Sequence, residues 1–196
     1  MLTNEMFDPM NLAMTPNVAA GYHSQSQIAR RVTEEWGHRN LYCVSCTDDR
    51  LLPTPPNTKA FDFRCSGCDA HYQLKAGRQW SETRIPDAGF ESMMSAIRND
   101  LTPHLLVMQY TPEWRVSNLM MVPSFFFTAS AIEKRRPLRE GARRAGWVGC
   151  NILLSSIAPD GKIRLVIDGS VIGAASVRRL YRRIRPLATM RNEVRG

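Results

Sequence analysis

The sequence predicts a mixed α/β domain with one central sheet flanked by helices. Three observations carry that expectation. Two segments repeat apolar residues at helical spacing: Ile28, Val32 and Trp36, then Phe90, Met93, Met94 and Ile97. The run His104 to Tyr110 is contiguously apolar, as a strand buried on both faces requires. Four of the five cysteines form two Cys-x2-Cys pairs, the second set between two short β-like segments. A chain of 196 residues with 43% hydrophobic residues is enough for one ordinary domain and excludes low-complexity disorder. No apolar run approaches the roughly 18 residues of a membrane span. The start Met1-Leu2-Thr3-Asn4-Glu5 lacks the basic-then-apolar pattern of a secretion signal, so a cytoplasmic protein without a membrane partner is expected.

The elements follow in order. Residues 1–22 have no clear periodicity and are expected as a loosely ordered arm. Ser24 to Trp36 reads as a helix, with Ser24 or Ser26 as its cap. Glu34 and Glu35 would then sit in its last turn, against the helix dipole. Residues 47–59 hold three prolines and form a loop. Ala60–Arg64 and His71–Ala76 are expected strands around Cys65-Ser66-Gly67-Cys68. A helix over Phe90–Asn99, the His104–Tyr110 strand and a weakly alternating Glu113–Val122 come next. Pro123-Ser124 is expected to open a helix through Ile132. Asn151–Ile157 and Ile163–Ile167 flank Pro159-Asp160-Gly161, a hairpin signal. Ser176–Ile184 reads as a basic helix stopped by Pro186.

Lysine and arginine number 26 against 18 acidic residues, a formal charge of +8. The excess lies in the second half of the chain. Lys134, Arg135, Arg136, Arg139, Arg143 and Arg144 face only Glu133 and Glu140, and a further eight arginines follow from Arg164. Such a balance favours a polyanionic partner, most often nucleic acid.

Cys43, Cys46, Cys65 and Cys68 leave 18 residues between the pairs, the spacing of two knuckles closing one tetrahedral zinc site. Two disulfides, plain buried cysteines or an iron–sulfur cluster are the alternatives. Four thiolates leave no open coordination position, so this zinc is expected to be structural. With it the chain carries about +6. Cys150, the fifth cysteine, is expected as a small buried residue.

Strand alternation gives the second constellation. Phe61 and Phe63 face one side and Asp62 the other; Gln73 and Lys75 share a face opposite Tyr72 and Leu74. If the two strands pair, Asp62, Gln73 and Lys75 converge. An Asp on one strand and an acceptor-x-Lys on the next is the arrangement of the PD-(D/E)xK nucleases. There, oxygen ligands hold a divalent cation that polarises phosphate and acidifies water, and the lysine orients that water or offsets charge. A solvated sheet face is the bland alternative.

Further segments are familiar together: Ser26-Gln27-x-Ala29-Arg30, Thr33-Glu34-Glu35-Trp36, Asp62-Phe63, Leu74-Lys75, Met93-Met94, Arg136-Pro137-Leu138 and Arg143-Arg144-Ala145-Gly146-Trp147-Val148-Gly149-Cys150-Asn151. With the cysteines, they resemble the catalytic domain of the DpnI-like, Dam-replacing family of methyl-directed restriction endonucleases, from about Ser24 to about Gly169. The resemblance implies a restriction-endonuclease-like PD-(D/E)xK fold with an inserted four-cysteine zinc site, and a Mg²⁺-dependent type II enzyme, with Mn²⁺ able to substitute. Its substrate would be adenine-methylated double-stranded DNA at Gm6ATC, with no obligatory protein partner. Carried over by position, Asp62, Gln73 and Lys75 are catalytic, Asp62 and Gln73 hold Mg²⁺, and Cys43, Cys46, Cys65 and Cys68 hold zinc. Glu34 aligns with an acidic residue of the family's first helix, as a structural partner or accessory metal contact. Arg143, Arg144, Trp147 and Asn151 are expected to read DNA: the indole on the methyl group in the major groove, arginine on guanine and phosphate, asparagine on adenine.

Two departures stand out. The family's usual Glu is Gln73, which can ligate but brings no charge. Family members usually continue into a C-terminal winged helix, whereas residues 173–196 read as a basic helix and tail whose Arg178, Arg179, Arg182, Arg183 and Arg185 can contact phosphates. The expected division is an arm over 1–22, a nuclease domain over 23–172 and this tail. The alternatives are a catalytically weak or inactive zinc-containing DNA-binding protein, a methyl-independent DNA nuclease and an RNA-binding zinc ribbon.

Overall fold

The computed structural model describes residues 10–55, 61–79 and 81–193. Its elements are α1 (Gln25–Asn40), β1 (Leu52–Pro53), β2 (Phe63–Arg64), β3 (His71–Gly77), β4 (Arg84–Gly89), α2 (Phe90–Arg98), β5 (His104–Tyr110), β6 (Val116–Val122), β7 (Ile132–Lys134), β8 (Gly149–Leu153), β9 (Ile163–Ile167), β10 (Ser170–Val171), α3 (Ala174–Ile184) and α4 (Pro186–Glu193). The strands form two sheets rather than the one expected. A seven-stranded sheet runs β1-β2-β3-β5-β6-β9-β10, and a three-stranded sheet runs β4-β8-β7. Among the described residues only the β3–β5 pair is parallel. A parallel pair needs a long crossover, and β4 and α2 lie within it.

The core explains the apolar run in β5. Leu106, Met108 and Tyr110 join one cluster with Val32 and Trp36 of α1 and Val177 and Tyr181 of α3. Leu105 and Val107 face the opposite way, toward Ile97 of α2 and Ile85, Ile132 and Ile152 of the small sheet. β6 divides in the same manner, with Leu119 and Met121 on one side and Met120 and Val122 on the other. The large sheet is thus covered by α1 and α3 on one face and by α2 and the small sheet on the other.

Several expectations change for local reasons. α1 continues to Asn40, so His38 and Arg39 occupy its last turn and suit the dipole. Glu34 and Glu35 pair one turn back and one turn on, with Arg30 and Arg39 respectively. Pro123 to Ala131 forms two short 3₁₀ turns leading into β7 instead of a helix. The three phenylalanines there serve different sides of the sheet: Phe125 packs on the α1/α3 cluster and Phe127 is buried in the other. Pro159-Asp160-Gly161 does not close a hairpin, because β8 and β9 belong to different sheets. It is a 3₁₀ turn whose Gly161 lets the Phe126 ring approach to 2.6 Å of where a Cβ would stand. The hairpin turn is Asp168-Gly169, both with positive φ, between β9 and β10. Pro186 ends α3 but opens α4.

Residues 1–9 of the expected arm, and Ala60 of the expected strand, lie outside the described residues. Residues 10–22 pack on the domain: Leu12, Met14 and Ala19 are buried, Ala13 bridges Arg115, and Trp36 Nε1 donates to the Asn11 carbonyl at 2.6 Å. Among the described residues no helix is long and apolar enough to cross a membrane.

His104, at the start of β5, is buried. Its Nδ1 accepts from the Ser124 N–H at 2.9 Å and its Nε2 lies 3.1 Å from the Ser45 hydroxyl. Burial, with a smaller effect of His71, holds its pKa down to about 4. The unfolded chain takes up this proton near 6.5 and the folded chain does not, so this stability is complete above 6.5 and is lost as the pH falls toward 4. Urea unfolding of the wild type and His104→Gln at several pH values checks this. The wild type is expected to lose more than the variant between pH 7 and pH 4, by an amount approaching about 3 kcal/mol.

Candidate active site

The β2–β3 hairpin forms as its alternation requires, with Phe63 opposite Tyr72 and Arg64 opposite His71. Phe63 and Tyr72 are fully buried against α1, where Gly37 lets the Phe63 ring come within 2.6 Å of a Cβ position. Cys65 and Cys68 lie in the hairpin turn, and Cys43 and Cys46 in the loop after α1. Their four sulfurs lie within 4.8 Å of one another. The Cys43–Cys68 and Cys46–Cys65 separations are 3.6 and 3.5 Å. These are far beyond a disulfide bond of about 2.05 Å, and close to the edge of about 3.8 Å for a tetrahedron with Zn–S of 2.3 Å. The donor set therefore fits zinc. Burial raises the Cys68 thiol to about 11 and Cys65 higher, so binding a cation must displace protons.

Neighbouring groups fix this cluster. The Tyr72 hydroxyl sits 3.2 Å from Cys43 Sγ and accepts from the Val44 N–H at 3.1 Å. Arg178 of α3, expected as a phosphate contact, is instead committed here. Its Nε donates to the Cys43 carbonyl at 3.0 Å, and its Nη2 to the Asp48 carbonyl at 2.7 Å and to Asp49 at 3.1 Å. Its guanidinium also lies over the Tyr42 ring. The sequence marked Arg178 only as one arginine among five; its burial, which sets it apart, is a tertiary property.

Asp62 immediately precedes β2. Its backbone N–H donates to the Tyr72 carbonyl, and its Oδ2 accepts from the Leu74 N–H at 2.8 Å. Burial raises its carboxyl above the ordinary range, and Glu34 adds to this; the Leu74 N–H, Arg30 and Lys75 act the other way. Asp62 also borders a cleft of about 450 Å³ that includes Gln27, Arg30, Glu34 and His38. Desolvation here outweighs the nearby positive charge, and a divalent cation would supply what is missing. With the Gln73 amide oxygen it gives hard oxygen donors of the kind Mg²⁺ takes.

A residue unmarked in the sequence completes the picture. Asp87 on β4 has a side chain only 1% exposed, and its Oδ1 lies 2.5 Å from Lys75 Nζ. The Gln73 amide donates to the same oxygen at 3.5 Å. Residues 84–89 carry no clear strand signal, since Pro86 and Gly89 are poor strand formers, and Asp87 goes unmarked with them.

The residues expected to read DNA do not all stay together. Arg143 and Arg144 are exposed in the loop between β7 and β8, and Arg144 lies 4.5 Å over the Trp147 ring. The indole is half-buried, its rim against Gly149. Asn151 is buried on β8 and donates to Glu133 Oε2 at 2.5 Å, so its amide acts as a strut of the small sheet. Gly149 pairs with Gly89 and Cys150 with Asp87, which puts the Trp147 loop beside the Asp87–Lys75 pair. Cys150 is fully buried, as expected.

A sequence model of the DpnI, Dam-replacing family matches residues 10–190. The chain belongs to this family. Membership points to a methylation-dependent restriction endonuclease. The match runs beyond the quoted motifs at both ends, taking in the packed N-terminal segment and most of α3 and α4.

The commitment of Arg178 gives a direct test. Arg178→Ala is expected to lower stability by about 2–3 kcal/mol in urea unfolding with zinc in excess, given the usual worth of charge-assisted hydrogen bonds. Arg178→Lys should recover only part of this, because an ammonium lacks the planar fork that reaches two carbonyls.

Proposed function

We propose that this protein is a methylation-dependent type II endonuclease of PD-(D/E)xK fold, hydrolysing phosphodiester bonds of duplex DNA at N6-methyladenine, with Gm6ATC as the target. One observation carries the reading: Asp62 and the Gln73-x-Lys75 pair meet on one hairpin, at the seam where the basic Trp147 loop also emerges. Asp62 and Gln73 would hold Mg²⁺, or Mn²⁺ in its place. When bound, such a cation would polarise a phosphate and lower the pKa of a bound water. Lys75 orients the attacking water and offsets the charge that builds as phosphorus becomes five-coordinate. Arg143 and Arg144 bind phosphates and guanine, and Trp147 offers the apolar surface for the adenine methyl once Arg144 moves from its ring. Zinc at Cys43, Cys46, Cys65 and Cys68 is structural.

Gln73 favours one second reading, a DNA-binding member without cleavage, because an amide gives the cation no charge. A single plasmid prepared with and without Dam methylation separates the two. Incubated with Mg²⁺ or Mn²⁺, the wild type is expected to cut only the methylated form, and Lys75→Ala to lower the rate by at least about a hundredfold. Cutting of both forms discards methyl direction, and cutting of neither discards the nuclease.

A further inference from the structure

Asp87 has a geometry that an ordinary buried strut does not need. It lies on the strand that packs over the Gln73 and Lys75 face of β3, and its carboxylate touches both side chains through one oxygen. The β4–β8 ladder shifts register between Asp87 and Gly89. Bulges of this kind re-aim side chains and are common beside active sites. A buried ion pair is a weak source of stability, since desolvation offsets most of its attraction. Stability alone is therefore a poor account of this pair.

Gln73 supplies a chemical account. A glutamate at 73 would bring a second carboxylate to the Asp87 oxygen that the Gln73 amide N–H now approaches, a repulsive arrangement in a dry site. The amide is a donor there and leaves its own oxygen as a ligand. Charge counting agrees. Asp62, Lys75 and Asp87 sum to −1 with neutral Gln73, the same as an Asp, Glu and Lys triad.

We propose that Asp87 carries the negative charge that Gln73 lacks, so that the divalent-cation ligands of this chain are Asp62, Asp87 and the Gln73 amide oxygen. The proposal rests on the nuclease reading above and changes which residues make it work. It makes the Gln73 departure compatible with a metal site, because β4 brings a carboxylate against the Gln73 and Lys75 face of β3. Lys75 is then paired with one ligand of the cation, between the two sheets.

The test reads metal binding separately from cleavage. Zinc-loaded full-length protein is titrated with Mn²⁺, and free Mn²⁺ is followed by electron paramagnetic resonance. Asp87→Asn is expected to weaken binding at least about tenfold, as loss of a charged ligand should. The double variant Gln73→Glu/Asp87→Asn, which returns the carboxylate to β3, is expected to restore it. Circular dichroism verifies the fold of each variant. If Asp87→Asn is unfolded, the double variant decides alone: wild-type binding supports the proposal, and binding weakened about tenfold overturns it. Unchanged Mn²⁺ binding in folded Asp87→Asn, even with cleavage lost, also overturns it and leaves Asp87 as a positioning residue for Lys75. A wild type that binds no Mn²⁺ overturns both readings. A wild type that binds Mn²⁺ but cuts no plasmid overturns the nuclease reading, while the binding comparison still judges Asp87.

Discussion

Four sulfurs drawn within 4.8 Å of one another tie the loop after α1 to the turn of the β2–β3 hairpin. The rest of the candidate site depends on that tie. β2 has only two residues, too few to hold a register by its ladder alone. The cysteine cluster fixes the turn from one end, and the buried Phe63 and Tyr72 fix it from the core side. With the turn held, the Asp62 backbone meets Tyr72 and its carboxylate meets the Leu74 N–H. Tyr72 serves both halves of the arrangement, since its ring is core and its hydroxyl reaches the cysteine loop.

The second constraint is the stacking of two sheets. β5 and β6 are buried on both sides, so the large sheet needs cover on each face. α1 and α3 supply one cover, and α2 with the small sheet supplies the other. The small sheet does more than exclude water. It carries Asp87 to Lys75, and it holds the basic loop from Arg135 to Val148 by the same strand pairing. Groups suited to a cation and groups suited to phosphate thus come from elements distant in the chain, and the hydrophobic core holds those elements against one another.

Much of this was legible in the sequence where a local rule applies. The cysteine spacing led to the cluster, and alternation along β3 put Gln73 and Lys75 on one face. The contiguous run in β5 identified a strand buried on both sides. Reading failed where tertiary context decides. β4 contains Pro86, Asp87 and Gly89, residues that signal a turn, yet antiparallel pairing with β8 makes it a strand. The hairpin expected at Pro159-Asp160-Gly161 lies instead at Asp168-Gly169, which has positive φ at both residues. Pro159 locks its own φ negative and turns the expected site into a 3₁₀ segment. Arg178 and Asn151 looked like surface recognition residues by type, but their partners, the Cys43 and Asp48 carbonyls and Glu133, lie far away in sequence.

The most direct measurement is of metal at the cysteine cluster. Protein purified without added metal is analysed for zinc by mass spectrometry, then treated with a strong chelator and followed by near-ultraviolet circular dichroism. The account requires one zinc per chain, and loss of the aromatic signal of the packed Tyr72 and Phe63 region when zinc is removed. A chain that contains no zinc, or that keeps its signal and its unfolding midpoint after chelation, would contradict it.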